Sequence, residues 1–256
     1  MRRITSRDNP LLQEVRRAVR QPLAYRRTGR VWLEGEHLGA ALRAASGPPG
    51  LALVSESALL RPPVKALLDG VPDVVVVPDR LYADLSDLPS PAGIGFLHDL
   101  GASAAVQARV PTIVLDRLQD AGNVGSLLRS AAAFGVRQVL ALEGTAGLWS
   151  PKVLRAGMGA HFALRLVEKA GEGDLAALGL PLLATSSHAA TSLHDCALPD
   201  PAAWVFSHEG QGLAPGLEAA CALTVRIPQP GGGESLNVAA AGAVCLYEAM
   251  RRRLAQ

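Results

Sequence analysis

The chain alternates short β-rich apolar runs with helix-like stretches, and this alternation limits its fold more than any other feature. The region 31–98 contains the runs VWLEG, LALVSE, VVVV and IGFLHD, separated by helix-like segments after Glu34 and around 65–69. A second series begins with TIVLD at 112–116. Strands that alternate with helices predict an α/β protein with a mostly parallel sheet and helices on both of its faces.

The second series is the more regular of the two. It predicts helices at 123–134, 151–158, 173–178 and 236–253, and strands at 138–142, 163–167, 181–185, 203–207 and 222–227. Between the two series lies GASAAVQARV, a segment of small residues without a clear pattern. We therefore predict one domain at 1–99, a linker at 100–110 and a second domain at 111–256.

The composition is typical of a water-soluble protein in a reducing environment. Nearly half of the 256 residues are hydrophobic, yet no apolar run approaches the length of a membrane span and no apolar signal segment follows Met1, so we expect a cytoplasmic protein. Cys196, Cys221 and Cys245 are odd in number and never spaced as Cys-x-x-Cys. They predict free thiols rather than a disulfide framework or a zinc knuckle.

Positive charge is concentrated at the start of the chain. Residues 1–30 hold nine arginines against Asp8 and Glu14, an excess of seven positive charges in a chain whose net charge is only +2. Because arginine offers a planar donor fork that matches phosphate, this segment predicts a nucleic-acid partner. A solvated basic face is the alternative.

Three polar, glycine-containing clusters follow predicted strands, where open parallel sheets bind ligands. They are LQDAGNVGSLLRSAAAFG at 118–135, VFSHEGQGL at 205–213 and RIPQPGGGESLN at 226–237. They match neither a P-loop nor the dinucleotide fingerprint, because Pro215 stands where the latter needs its third glycine. Gly212 replaces the second histidine of a zinc-protease helix, and no Gly-x-Ser-x-Gly elbow is present.

Few side chains in these clusters carry chemistry, so the site predicted here consists largely of backbone. Its polar side chains are Asn123, Arg129, Glu209, Ser235 and Asn237. Each has a structural alternative: a helix cap for Asn123, Ser235 and Asn237, solvated surface for Arg129, and a loop-capping carboxylate for Glu209. A metal set made of His188, His194 and Cys196 lacks a matching ligand pair, and we expect no metal.

In this order, the three clusters resemble the SpoU/TrmH family of RNA ribose 2′-O-methyltransferases, within the SPOUT superfamily. The resemblance covers residues 111–253, while ITSRDNPLL at 4–12 and the Glu34-Gly35 turn resemble a small ribosomal-protein-like RNA-binding domain. It implies a trefoil-knotted sheet in the C-terminal domain, a homodimer, and S-adenosylmethionine as cofactor. It also implies methyl transfer to a ribose 2′-hydroxyl of structured RNA, with ribosomal RNA favoured over transfer RNA.

The resemblance assigns roles to individual positions. The implied catalytic residues are Arg129, Asn123, Glu209, Ser235 and Asn237, and the implied cofactor-binding residues are Ser207, Gly210, Ile227 and Leu236. The predicted RNA-binding residues are Arg2, Arg3, Arg7, Arg26 and Arg27. We expect Arg129 to orient a target phosphate or stabilise a developing alkoxide, and Asn123, Glu209 and Asn237 to hold Arg129 and the loops.

The sequence departs from the family pattern at three positions. Ser207 stands where glycine is usual, Ala121 replaces a frequent proline, and Gln229 replaces a frequent methionine. None of these changes removes an expected reacting group. The alternatives are a transfer RNA 2′-O-methyltransferase, a methyltransferase acting at another position, a catalytically silent RNA-binding protein of the same fold, and a nucleotide-binding oxidoreductase.

Overall fold

The structure is a computed structural model that describes residues 1–208, 210–231 and 235–255. The strands are β1 (Arg2–Arg3), β2 (Arg30–Glu34), β3 (Leu51–Ser55), β4 (Asp73–Val77), β5 (Ile94–Asp99), β6 (Thr112–Asp116), β7 (Gln138–Leu142), β8 (Arg165–Ala170), β9 (Leu182–Thr185), β10 (Thr191–Ser192), β11 (Ala203–Ser207) and β12 (Cys221–Arg226). The helices are α1 (Pro10–Arg20), α2 (Tyr25–Thr28), α3 (Glu36–Ser46), α4 (Pro62–Leu68), α5 (Asp79–Ala83), α6 (Ala121–Ala133), α7 (Pro151–Gly157), α8 (Glu172–Ala177), α9 (Pro215–Ala219) and α10 (Val238–Leu254). Short 3₁₀ turns are formed by Ala58–Leu60 and Ala160–Ala163.

The chain forms two compact units. Unit 1 comprises Met1–Ala102 and Trp149–Phe162, and unit 2 comprises Ser103–Leu148 and the chain from Ala163 onward. The segment Trp149–Phe162, which the sequence places in the second predicted domain, thus belongs to unit 1.

Unit 1 is a mixed five-stranded sheet in the order β1-β4-β3-β5-β2, parallel from β1 to β3 and antiparallel beyond it. Side chains alternate between the two faces of each strand, so β3 supplies both cores. Val54 packs on one face with Leu42 of α3 and Leu154 of α7. Leu53 packs on the other face with Leu12 of α1. Burial on both faces explains why these strands are continuously apolar.

Helix α1 is an element that the sequence patterns above do not predict. The side chain of Asn9 caps its first turn, and Pro10 occupies the first helical position, where the missing N–H costs nothing. Leu12, Val15 and Val19 form its buried face. Four polar residues lie between them and hide this apolar stripe from a search for β-rich runs: Gln13, Glu14, Arg16 and Arg17.

Unit 2 confirms the predicted parallel sheet. Its seven strands have the order β10-β12-β9-β11-β6-β7-β8, and every strand pair is parallel. Val114 and Val205 face a core shared with Leu178. On β11, Phe206 points the other way and lies against Gly242 of α10.

Helix ends in unit 2 differ from their predicted positions by about one turn or less, and caps explain the differences. Helix α6 begins at Ala121 because the side chain of Asp120 accepts a hydrogen bond from the backbone N–H of Asn123 at 2.7 Å. Helix α10 begins at Val238, two residues later than predicted, because Asn237 is its N-cap. The short helix α9 and strand β10 were not predicted.

Candidate functional site

Four strand ends meet at one edge of the unit 2 sheet, as the sequence predicts. Strands β12, β9, β11 and β6 are neighbours and parallel, so their carboxyl ends and the loops that follow lie side by side. Ser207 at the end of β11 is directly opposite Asp116 at the end of β6. The first two polar clusters therefore begin from adjacent positions.

Asp116 and Arg117 join the loop after β6 to the loop after β11. Arg117 donates from Nε and Nη2 to the two carboxylate oxygens of the buried Asp116, at 2.9 Å each. The same guanidinium donates to Gln211 Oε1 at 3.1 Å and to the carbonyl of Gly212 at 2.9 Å. The hydrogen bonds to Asp116 and the negative charge of that carboxylate raise the pKa of Arg117 above its usual value. Arg117 has a left-handed φ of 55°, so an ordinary residue holds a conformation that usually favours glycine.

Hydrogen bonds from backbone N–H groups hold the turn after β11, and one of them joins it to the end of β6. The N–H of His208 donates to the carbonyl of Asp116 at 3.1 Å, and the N–H of Gly212 donates to the carbonyl of His208 at 3.0 Å. The N–H of Gly210 donates to His208 Nδ1 at 3.0 Å. Ser207 is half-buried and Gly210 is exposed at this turn, whereas the predicted Glu209 lies outside the described residues.

Asn123 and Asn237 lie together where α6 and α10 begin. The side-chain amide of Asn237 donates to Asn123 Oδ1 at 3.0 Å, while its own Oδ1 accepts from the N–H groups of Ala239 and Ala240 at 3.0 and 3.3 Å. Asn237 is thus both a cap and a link to the first cluster. Asn123 is not the cap of its helix, because Asp120 occupies that position.

A close helix contact holds this pair in place. Gly242 of α10 lies against Leu127 of α6, and a Cβ at position 242 would be only 2.3 Å from Leu127 Cδ2. Leu127 is fully buried. The absence of a side chain at position 242 is therefore what allows α10 to approach α6.

Arg129 lies on another face of α6. It is exposed, and it forms no hydrogen bond or ion pair with any residue that the structure describes. Arg129 follows Asn123 by six positions, so it lies about 9 Å further along the helix and about 120° away around the helix axis. Within the described residues, Asn123 and Asn237 bind each other; that they hold Arg129 stays a prediction.

The third cluster lies beside the end of β12. Ser235 is exposed, Leu236 exposes 39% of its surface and Ile227 is half-buried. Residues 232–234 of the glycine-rich stretch lie outside the described residues. Ser235 precedes the cap by two residues, so it does not occupy the N-cap position of α10.

The predicted RNA-binding arginines differ in their surroundings. Arg2 donates from two nitrogens to Asp73, and Arg3 pairs with Glu56. The remaining members of the set are Arg7 and Arg27, which are exposed, and Arg26, whose guanidinium lies 5.9 Å from the ring centre of Tyr25.

Two kinds of feature are absent from the residues that the structure describes. Within 1–208, 210–231 and 235–255, no three His, Cys, Asp or Glu side chains are grouped so that they could hold a metal ion. Over the same ranges, no helix combines the length and apolar character needed to cross a membrane.

Comparison with known proteins identifies the family. The profile of the SpoU rRNA Methylase family matches residues 111–247, which contain all three clusters. The chain belongs to the SpoU rRNA methylase family. The match begins at the first strand of unit 2 and ends within α10, so it spans the sheet edge described above.

Related proteins extend the similarity over the whole chain. The chain is 32% identical over 261 residues to an uncharacterized tRNA/rRNA methyltransferase of Synechocystis sp., covering 98% of this chain and 94% of the relative. It superposes on a crystal structure of an RNA 2′-O ribose methyltransferase with a TM-score of 0.82 and 31% identity, over 98% of this chain and 99% of the other. The SpoU methyltransferase AviRb of Streptomyces viridochromogenes, solved with AdoMet, shares the fold with a TM-score of 0.86 at 24% identity, over 96% and 98% of the two chains.

Proposed function

We propose that this protein transfers a methyl group from S-adenosylmethionine to a ribose 2′-hydroxyl of ribosomal RNA. Membership of the SpoU rRNA methylase family makes the chain an RNA methyltransferase. The observation that carries the proposal is the hydrogen bond between Asn123 and Asn237, because it brings two motifs far apart in the sequence to one site at the ligand-binding edge of the sheet.

The shape of this edge fits the cofactor. The ends of β11 and β12 flank β9, so Ser207 and Ile227 are about 10 Å apart across the sheet, wide enough for a nucleoside. The exposed part of Leu236 and the half-buried Ile227 provide apolar surface, and the turn at Gly210 leaves backbone accessible to a ligand. We assign the cofactor to Ser207, Gly210, Ile227 and Leu236. When bound, it supplies an electrophilic methyl group on a sulfonium.

The anchored loops account for positioning. A displacement at a methyl carbon requires the attacking oxygen in line with the leaving sulfur, so correct placement supplies much of the rate. Arg117 fixes the β11 turn to Asp116, and Asn237 fixes the start of α10 to Asn123. Both loops therefore keep a defined geometry around the methyl donor.

Arg129 is proposed to act on the RNA rather than to accept a proton. A guanidinium stays protonated at neutral pH and cannot serve as a general base. It can bind the phosphate next to the target ribose or stabilise the alkoxide as the hydroxyl loses its proton. Ser235 or that phosphate provides the proton path, and Glu209 is assigned to holding the loop.

The exposed position of Arg129 supports a homodimer in which it completes the partner's site. It shares an exposed face of α6 with Gly122 and Ser126, at spacings of three and four residues. On α10, Val244 and Tyr247 expose 43% and 50% of their surface. A second copy covering these residues would bring Arg129 to the other subunit's carboxyl edge.

Mixed subunits test the dimer directly. Arg129→Ala and Asn237→Ala subunits are each expected to be inactive, and co-refolding the two should restore one complete site per heterodimer if Arg129 acts on the partner's site. Persistent inactivity of a heterodimer demonstrated by light scattering would place Arg129 in its own subunit's site.

We also propose that the chain of unit 2 is knotted, because β12, although last in sequence, lies inside the sheet between β10 and β9.

The activity is tested with methyl-labelled S-adenosylmethionine and unmodified ribosomal and transfer RNA. We expect alkali-resistant dinucleotides from ribosomal RNA, loss of label with Arg129→Ala, and retention of label with Arg137→Ala, which removes another exposed arginine of unit 2. Label only in transfer RNA would change the substrate class. Cofactor binding without label in either RNA would favour a silent RNA-binding protein.

A further inference from the structure

We infer that one face of α1, formed by Gln13, Arg16, Arg17 and Arg20 together with the C-cap residue Gln21, binds backbone phosphates of the substrate RNA. The inference rests on the proposed function only in taking RNA as the substrate. It assigns the contact to residues other than the arginines that the sequence predicts for RNA binding.

The five side chains form one continuous stripe. They lie at spacings of three and four residues, so they share a side of the helix and together line a single depression of the surface. Arg16 is nearest to the buried stripe of Leu12, Val15 and Val19, which explains why its guanidinium is partly enclosed.

The positive charge of this stripe is not neutralised. None of its three arginines forms an ion pair with a carboxylate of the described residues. The single carboxylate of α1 is Glu14, and both of its oxygens accept from Arg30, at 3.0 and 3.2 Å. Three guanidinium groups on adjacent turns repel each other unless an anion lies between them.

Two side-chain nitrogens of Arg16 also lack hydrogen-bond partners among the described residues. Its Nε and Nη2 are shielded from solvent, and no described residue accepts a hydrogen bond from either. Buried charged donors are normally paired, so an unpaired enclosed guanidinium indicates an acceptor that comes from outside the chain. A phosphate offers oxygens to this planar fork, and Gln13 and Gln21 add amide donors at its sides.

Stabilisation of the C-terminal end of α1 accounts for only some of the arginines in the stripe. Arginines in a last turn interact favourably with the helix dipole, and Arg17 donates to the carbonyl of Gln13 at 3.4 Å. Arg20 donates to the carbonyl of Asp84 at 3.5 Å. Both bonds are long, and neither involves Arg16. By contrast, Arg2 already has a carboxylate partner, so a phosphate would have to displace it.

The salt dependence of RNA binding by the full-length protein tests the inference. The probe is a short fluorescein-labelled RNA hairpin, titrated by anisotropy at several KCl concentrations. Each phosphate contact contributes about one unit to the slope of log K against log salt, so Arg16→Gln/Arg17→Gln/Arg20→Gln should lower the slope by about 2–3. The triple lysine variant keeps the charges and should keep most of the slope.

The matched control removes three arginines of unit 1 that already have carboxylate partners. The control is Arg43→Gln/Arg61→Gln/Arg155→Gln, with the same change in net charge. We expect it to retain the wild-type slope. Equal slopes for the stripe variant and the wild-type protein, or a loss confined to the control, would overturn the inference.

Methyl transfer separates this inference from the proposed function. With the stripe variant, the KM for ribosomal RNA should rise at least tenfold, while kcat and the calorimetric affinity for S-adenosylmethionine stay unchanged. If the wild-type protein labels RNA and the KM of the stripe variant is unchanged, the RNA contact of the stripe is refuted and the proposed function is not. Wild-type protein that binds the hairpin but labels no RNA refutes the proposed function alone.

Discussion

Replacing Gly242 by alanine tests whether the contact between α6 and α10 holds the site together. In an open helix, Gly→Ala gains about 1 kcal/mol of propensity. Here the new methyl would lie 2.3 Å from Leu127 Cδ2 and 3.5 Å from Phe206, against an ordinary contact of about 3.5–4.0 Å. Leu127 and Phe206 are fully buried, so neither can move into solvent. Overpacking costs about 1–3 kcal/mol, and an approach of 2.3 Å belongs to the upper part of that range, about 2–3 kcal/mol. After the propensity gain, we expect a net loss of about 1–2 kcal/mol.

The loss should appear in both stability and activity. By scanning calorimetry, Gly242→Ala should lower the Tm of the full-length protein by about 2–8 °C. If α10 moves away by about 1 Å to relieve the clash, the 3.0 Å bond between Asn237 and Asn123 lengthens beyond hydrogen-bond range, so initial rates of methyl transfer should fall even well below the Tm. The control is Gly216→Ala in α9, where nothing lies within 4 Å of the new methyl and stability should hold or rise.

A double-mutant cycle distinguishes the clash from a general effect on the helix. Leu127→Ala alone should cost about 2–5 kcal/mol by leaving a cavity. Combined with Gly242→Ala, it makes room for the new methyl, so the double variant should lose at least about 1 kcal/mol less than the two single losses together. Strict additivity, or a Gly242→Ala protein with wild-type Tm and rate, would refute the reasoning.

Three further outcomes follow from single side chains. Asn237→Asp keeps the oxygen that caps α10 but removes the amide that donates to α6, so it should lose methyl transfer while retaining most of the about 1 kcal/mol of unfolding free energy that Asn237→Ala loses in urea titrations. Hydrogen bonds from Arg251 and Arg252 lower the pKa of Glu248 from 4.5 to about 2. The stabilisation that the ionised Glu248 gives to the folded protein is complete above pH 4.5 and is lost as the pH falls towards 2. Glu248→Gln should therefore flatten the dependence of the unfolding free energy on pH in that window. Burial raises the pKa of Cys245 to about 12, so iodoacetamide should label it only after unfolding, as read by mass spectrometry; labelling of the native protein would contradict its burial.

The sheet of unit 2 was predictable because its strands are buried on both faces. Apolar runs such as 112–116 and 203–207 have no amphipathic alternative, and their positions match β6 and β11. Helix α1 was missed because Gln13, Glu14, Arg16 and Arg17 interrupt its buried residues Leu12, Val15 and Val19. Asn9 followed by Pro10 is the signal that could have revealed it, since the pair is typical of a helix start.

The edge of the sheet to which we assign the site was also predictable, but the hydrogen bonds within it were not. The rule that ligands bind beyond the carboxyl ends of parallel strands located the three clusters without any coordinates. The bond between Asn123 and Asn237 joins residues 114 positions apart, and no local pattern encodes such a pairing. Arg117 was missed for another reason: nothing in its residue type signals a left-handed backbone, which is usually marked by Gly or Asn.

The assignment of Trp149–Phe162 to unit 1 changes where the chain can be divided into separate parts. The chain leaves unit 2 after β7, places Leu154 in the unit 1 core and returns to form β8, so the backbone passes between the units three times. Unit 1 is therefore not an arm that a cut near residue 102 would remove cleanly. Such a cut would separate Leu154, with Trp149 and Phe162, from the core in which they pack. If α1 binds RNA as inferred, α7 belongs to the same folded unit as that contact, and the chain before and after it forms β7 and β8 of the sheet to which we assign the methyl-transfer site.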